Sequence, residues 1–80
     1  MTRKEVLATV AAVLTTALET EPAAMPASAI YVALGSDYSK WESIRDLMHA
    51  SGLVTLTGST VRLTAKGRET AEKCNAILAS

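Results

Sequence analysis

One stretch, residues 51–69 with the sequence SGLVTLTGSTVRLTAKGRE, constrains the fold more than any other part of the chain. Two short apolar runs flank the pair Gly58-Ser59, and a glycine at the first of two loop residues is what a tight type II′ hairpin turn requires. Gly52 before the hairpin is typical of a helix end, and Thr64 after it is typical of a helix N-cap. We therefore predict two antiparallel strands, at residues 53–57 and 60–64.

Capping residues and apolar periodicity predict four helices around this hairpin. Thr2 opens a capping box, after which apolar residues recur at three- and four-residue spacing along the first helix. Pro26 suits the first turn of the second helix, and Gly35 suits its end. Ser39 and Glu42 form a possible capping box at the start of the third. The predicted helices span residues 3–19, 26–34, 38–51 and 65–78.

Composition limits the chain to one small domain. Its 80 residues are 49% hydrophobic and include no Phe, so the core must be built mainly from Ala, Val, Leu and Ile. Lysines and arginines number 8, as do the acids, so net charge gives no general indication of nucleic-acid or membrane binding. The fold class predicted for residues 1–80 is therefore a single, mainly α domain with a small two-stranded β-hairpin.

The first helix and the single cysteine bear on localisation. Arg3 and Lys4 precede an uncharged run, which imitates a secretory signal, but Glu5 interrupts the basic region and we expect folded structure here. The uncharged run, residues 6–18, is shorter than the roughly 20 residues that span a membrane. Cys74 has no second cysteine to pair with. We expect a cytoplasmic protein that does not enter a membrane.

At this point the chain resembles a known family. Its order of helices and hairpin is that of winged helix-turn-helix proteins, in which the hairpin is called the wing. The segment Leu63-Thr64-Ala65-Lys66-Gly67-Arg68-Glu69 resembles the LTxxGRE segment that follows the wing in MarR-like and PadR-like transcriptional regulators. The segment Ser51-Gly52-Leu53-Val54 is similar to the element that leads into their wing. The resemblance implies a DNA-binding regulator whose third helix enters the major groove while the wing contacts the phosphate backbone.

The resemblance also implies which residues contact double-stranded DNA. From Leu47 through Arg68 every formally charged side chain is positive, which supports contact with phosphates. Acids in and just before the third helix oppose this, because they would repel phosphates. The implied DNA-contacting positions are Ser36, Ser39, Lys40, Ser43, Arg45, Arg62, Lys66 and Arg68.

Two functions therefore remain open: a small DNA-binding transcriptional regulator, and a protein-interaction module built on the same scaffold. An inhibitor or adaptor encoded by a phage or plasmid would be an example of the second. A continuous positive surface across the third helix and the wing would favour DNA, and we expect it to include Lys40, Arg45, Arg62 and Lys66. Acids that project from the third helix at Glu42 and Asp46 would favour a partner protein.

Two candidate residues have structural alternatives. Arg68 either contacts DNA or pairs with a neighbouring acid. Trp41 lies on the apolar stripe of the third helix, and we expect it in the core rather than stacked on a base. The glycines are isolated and the one His and one Cys lie on different helices, so we expect no enzyme, no cofactor and no metal site.

The first helix also suggests an assembly. Its second face carries no charge between Glu5 and Glu19, whereas a solvated helix face usually carries Lys and Glu. We expect a homodimer in which this face, with the last helix around Ile77, packs against its two-fold mate. The expected interface residues are Ala8, Ala12, Thr15, Thr16 and Ile77.

Overall fold

The computed structural model describes the chain from Thr2 to Ala79. This part of the chain is mostly helical, with a small antiparallel sheet, so the predicted mainly α fold with a hairpin is confirmed. No bound of a predicted helix or strand differs from the observed bound by more than one residue. In chain order the elements are α1 (Arg3–Thr20), β1 (Met25–Pro26), α2 (Ala27–Ala33), α3 (Tyr38–Ala50), β2 (Val54–Thr57), β3 (Thr60–Leu63) and α4 (Ala65–Ala79).

The sheet has a third strand that the sequence did not predict. β1 pairs antiparallel with β3, with Met25 opposite Val61 and Pro26 opposite Thr60. Pro26 was expected in the first turn of the second helix; instead it is extended, with φ −66° and ψ 132°, and forms the N-cap of α2. Proline is tolerated here because β1 is an edge strand, in the order β1-β3-β2.

The hairpin forms as predicted. Thr57 and Thr60 face each other across Gly58 and Ser59, and the pairing continues to Val54 opposite Leu63. Gly58 has φ +58°, in the left-handed region that a type II′ turn requires at its first central residue.

The C-terminal ends of α2 and α3 are closed by the same backbone motif. At the end of α3, the amide of Gly52 donates to the carbonyl oxygen of His49 and the amide of Leu53 donates to that of Met48, both at 3.0 Å. Gly52 has φ +72°, which confirms its predicted role as a left-handed helix terminator. Gly35 closes α2 in the same way, with φ +77°.

The N-cap of α3 differs from the prediction. The side chain of Asp37, not that of Ser39, caps this helix by accepting the amide of Lys40 at 3.2 Å. The capping box expected from Ser39 and Glu42 is therefore wrong. Asp37 takes the cap because the left-handed residues that end α2 leave it as the first extended residue before the helix.

The core lies where the helices meet the inner face of the sheet. Trp41, at 8% exposure, belongs to it as expected. Its other buried apolar residues are Val10, Val13, Leu14, Ala17, Met25, Ile30, Ile44, Met48, Leu53, Val54, Val61 and Ala71.

The start of α4 is bound to the segment that joins α3 to β2, and we call this contact the α3–α4 junction. The hydroxyl of Thr64 accepts the amide of Gly67 at 3.0 Å, as predicted for an N-cap, and donates to the carbonyl oxygen of Gly52 at 2.6 Å. The amide of Thr64 donates to the carbonyl oxygen of Leu53 at 3.0 Å. A Cβ on Gly67 would overlap that same oxygen and lie 2.8 Å from its carbon. Gly67 therefore allows the start of α4 to approach the backbone of Leu53 closely.

We predict that Gly67→Ala destabilises the domain by roughly 1–3 kcal/mol, because the added methyl group must push against the backbone of Leu53. A Gly-to-Ala change within a helix otherwise stabilises by about 1 kcal/mol, so the sign of the effect is diagnostic. Urea unfolding of the two proteins measures it.

The control is Ala76→Gly, at an exposed position of the same helix, which should cost about 1 kcal/mol through helix propensity alone. A Gly67→Ala protein more stable than the wild type would contradict the close contact.

Candidate functional site

The third helix, α3, has one face in the core and one in solvent. Its buried face is formed by Trp41, Ile44 and Met48. At 100° per residue the opposite side chains point outward, and all of them are exposed. They are Ser39, Glu42, Ser43, Asp46 and Ala50. Two of these five are acids and none is a cation, so the outward face of α3 carries negative charge.

Three of the residues implied to contact DNA meet at the start of α3. Ser39, Lys40 and Ser43 line a shallow cavity of about 350 Å³ together with Val6 of α1 and the capping acid Asp37. Ser36 is exposed in the preceding turn. This corner of the molecule therefore brings one lysine and several hydroxyl groups together beside a carboxylate.

Arg45 lies along the flank of α3 and not on its outward face. Its guanidinium lies 5.9 Å from the centre of the Trp41 ring, a cation–π distance. Its Nε donates to Oδ1 of Asp46 at 3.1 Å. The hydrogen bond to Asp46, and then one with Tyr38, raise the pKa of Arg45. The side chain is thus held against its own helix by an aromatic ring and a carboxylate.

The cations near the hairpin also contact their own chain. Arg62 Nη1 donates to the carbonyl oxygen of Pro22 at 3.3 Å. Lys66 Nζ donates to the carbonyl oxygen of Ser51 at 3.0 Å, which adds a third hydrogen bond to the α3–α4 junction. Both side chains belong to exposed residues and could exchange these contacts for others.

Arg68 makes two hydrogen bonds to its own chain, whereas Arg62 and Lys66 each make one. It binds Glu21 at the end of α1 through two parallel hydrogen bonds, Nε to Oε1 at 3.0 Å and Nη2 to Oε2 at 2.6 Å. These hydrogen bonds lower the pKa of Glu21, and they raise the pKa of Arg68. The alternative in which Arg68 pairs with a neighbouring acid is therefore confirmed, and a contact with DNA stays a prediction.

The expected positive surface is thus mostly engaged within the chain. Of its four residues, Arg45, Arg62 and Lys66 each donate to an atom of their own chain. The acids named as the opposing indication, Glu42 and Asp46, are both exposed, and the Asp46 side chain is 65% accessible. These exposed carboxylates would repel a phosphate backbone that approached the outward face of α3.

A groove between α2 and α3 was missed by the sequence reading. Its volume is about 290 Å³, and it is lined by Ala27, Ser28, Tyr31, Tyr38 and Trp41. We call it the aromatic groove, because Tyr31, Tyr38 and Trp41 are all the Phe, Trp and Tyr residues of the chain. The available signal was the pair of tyrosines on either side of the turn, which the packing of α2 on α3 brings together.

One of the residues expected at a dimer interface is buried. Thr15 is only 9% exposed, and its hydroxyl donates to the carbonyl oxygen of Ala12 at 3.1 Å, so its assignment to an exposed face is wrong. Ala8, Ala12 and Thr16 are exposed along α1, and Ile77 is 72% exposed on α4. Helix α1 packs against α4, α3 and β3. On its remaining side, Ala12 and Thr16 line a groove of about 430 Å³ that α1 forms with α2.

Comparisons with protein-family models, with curated proteins and with solved structures found no match for this chain. Among residues 2–79, no helix is long and apolar enough to cross a membrane. Within the same residues, no group of three His, Cys, Asp or Glu side chains is placed to hold a metal ion.

The ion pair between Glu21 and Arg68 should make stability depend on pH. Because the folded state lowers the pKa of Glu21, the pair stabilises the fold above the pKa of the unfolded carboxyl group, about 4.3, and this contribution is lost as pH falls through the lowered folded value. We predict that Glu21→Gln and Arg68→Gln each destabilise at pH 7. The coupling between them in a double-mutant cycle should vanish at strongly acidic pH.

The control is the Glu69–Lys73 pair on α4, whose side chains are 68% and 72% exposed and join at 3.2 Å. A pair this exposed contributes little to stability, so Glu69→Gln should have a smaller effect than Glu21→Gln at pH 7. A coupling between residues 21 and 68 that does not change with pH would contradict the assignment.

The dimer stays a prediction, now carried by the exposed residues Ala8, Ala12, Thr16 and Ile77. Ala12→Glu should shift a dimer toward monomer, because two carboxylates would meet near the symmetry axis. Ala65→Glu, at an exposed position on α4, is the matched control and should leave assembly unchanged. Sedimentation that finds the wild type monomeric at tens of micromolar would reject the dimer.

Proposed function

We propose that this chain is a winged-helix module that binds a partner protein on the side where α2 meets α3. The observation that carries the proposal is the convergence of all three aromatic residues, with Arg45 beside them, on one partly open groove. The winged-helix part of the proposal rests on the family resemblance, and the binding surface is the groove. A cytoplasmic location is part of the proposal and rests on the single cysteine.

The composition of the groove supports a protein partner. Trp, Tyr and Arg are the residues that most often dominate binding energy at protein interfaces, where they lie in apolar pockets from which water is excluded. Tyr38 is 59% exposed, so a partner could bury most of its ring. Trp41 beneath it is held in the core, which gives the groove a rigid floor.

The charge of the third helix supports the same choice. Between Ser36 and Ser51 three acids accompany only two formal cations, and one of those, Arg45, is bound to Asp46. A helix that enters the major groove lies between two phosphate strands, where exposed carboxylates are repelled. Binding of double-stranded DNA as a transcriptional regulator is therefore the second candidate. Lys40 and the serines near it are the residues that favour it.

Capture of partners from a lysate of the source cells, followed by titration of each purified captured protein, tests the proposal. Tyr38→Ala should weaken binding of a true partner by about 30-fold, the size of an interface hot spot near 2 kcal/mol. Val32→Ala is the matched control, since Val32 is similarly exposed on α2 and does not line the groove. It should leave the affinity within about twofold.

A parallel titration with mixed-sequence duplex DNA at low salt decides the second candidate. We expect no saturable binding. Binding that falls steeply with added salt and is weakened by Lys40→Gln would replace the proposal with the DNA-binding regulator.

A further inference from the structure

The aromatic groove has a size that suits side chains better than a free ligand. Its volume of about 290 Å³ lies at or below the lower end of the range for small-molecule sites, roughly 300–1,000 Å³. The groove is also shallow, because Trp41 closes its floor. One or two apolar side chains of a bound segment would fill it.

The two sides of the groove, one formed by α2 and the other by α3, differ in charge. The side formed by α2 belongs to a stretch, residues 22–36, that contains no Asp, Glu, Lys, Arg or His. On the side formed by α3, two exposed acids follow Tyr38 along the helix, Glu42 after one turn and Asp46 after two. Arg45 is the one cation on this side, and its Nε is already bound to Asp46.

The net charge beside the groove is therefore negative, and it lies along one side only. Asp37 and Lys40 do not change this balance, because both line the cavity beside Val6 on the opposite flank of α3. An apolar groove bordered by acids complements a segment that carries an apolar anchor next to Lys or Arg. The exposed ring of Tyr38 can also stack on such a cation.

We propose that the occupant of the aromatic groove is a basic segment of the partner protein. An apolar side chain of that segment lies between Tyr31 and Tyr38 over Trp41, and its lysine or arginine side chains face Glu42 and Asp46. This inference rests on the proposed function, because it names the chemistry of the partner at the same surface.

Selection from a display library of random short peptides, with the full chain as bait, tests the charge preference. The enriched pool should carry net positive charge and a recurring apolar residue. The best enriched peptide, titrated against the chain, should change the emission of Trp41, which is the only tryptophan and lines the groove. Circular dichroism of each variant shows that it is folded.

Three variants assign the contacts. Tyr38→Ala should weaken the peptide at least tenfold, since it removes an exposed wall of the groove. Glu42→Lys should weaken it about fivefold, the order expected when an exposed ion pair becomes a repulsion. Glu69→Lys makes the same change of charge on α4 and should have no effect.

The outcomes separate this inference from the proposed function. Enrichment of acidic or uncharged peptides, or equal effects of Glu42→Lys and Glu69→Lys, would overturn the basic segment while a Tyr38-dependent protein partner still stands. If single-stranded oligonucleotides change Trp41 emission and the enriched peptides do not, the groove stacks bases and the inference is rejected. If neither peptide nor protein binding depends on Tyr38, both proposals fail.

Discussion

The rest of the structure depends on the hydrogen bonds of Thr64 at the α3–α4 junction. One hydroxyl group caps α4 through the amide of Gly67 and donates to the carbonyl oxygen of Gly52 at the end of α3. Because Gly67 has no Cβ, α4 can begin directly against the backbone of Leu53. The hairpin between Leu53 and Thr64 must then begin and end at the junction. Its strand register therefore follows from the junction as well as from its turn.

This junction also determines what the nearby cations do. Lys66 lies within the first turn of α4 and reaches the carbonyl oxygen of Ser51, which is one of the unpaired oxygens at the end of α3. Arg68 lies two residues further and reaches Glu21 at the end of α1. Two of the three cations around the hairpin thus hold helix ends in place. These two cations are therefore less available to contact DNA than the number of lysines and arginines near the hairpin suggests.

The sequence predicted those features that depend on neighbours along the chain. Gly52 and Gly58 determine local backbone conformations, and each could be read from a few adjacent residues. The strand β1 could not, because two residues show no periodicity and pair only once β3 is beside them. Thr15 was misplaced for a similar reason: helical spacing identifies one buried face, but it does not say how many other elements surround the helix. The aromatic groove depends on how α2 packs on α3, and that angle is not encoded in either helix alone.

The residues that carry the family resemblance explain why it indicates a fold more clearly than a function. In the segment from Leu63 to Glu69, Thr64, Gly67 and Arg68 all contact other parts of the chain, as Gly52 does in the segment before the hairpin. Any domain that joins a helix, a hairpin and a helix through this junction needs the same side chains, whatever it binds. The choice of partner must then lie in side chains that the fold does not use. In this chain such side chains include the exposed acid Glu42 and the exposed ring of Tyr38, and the proposal of a basic protein partner rests on them.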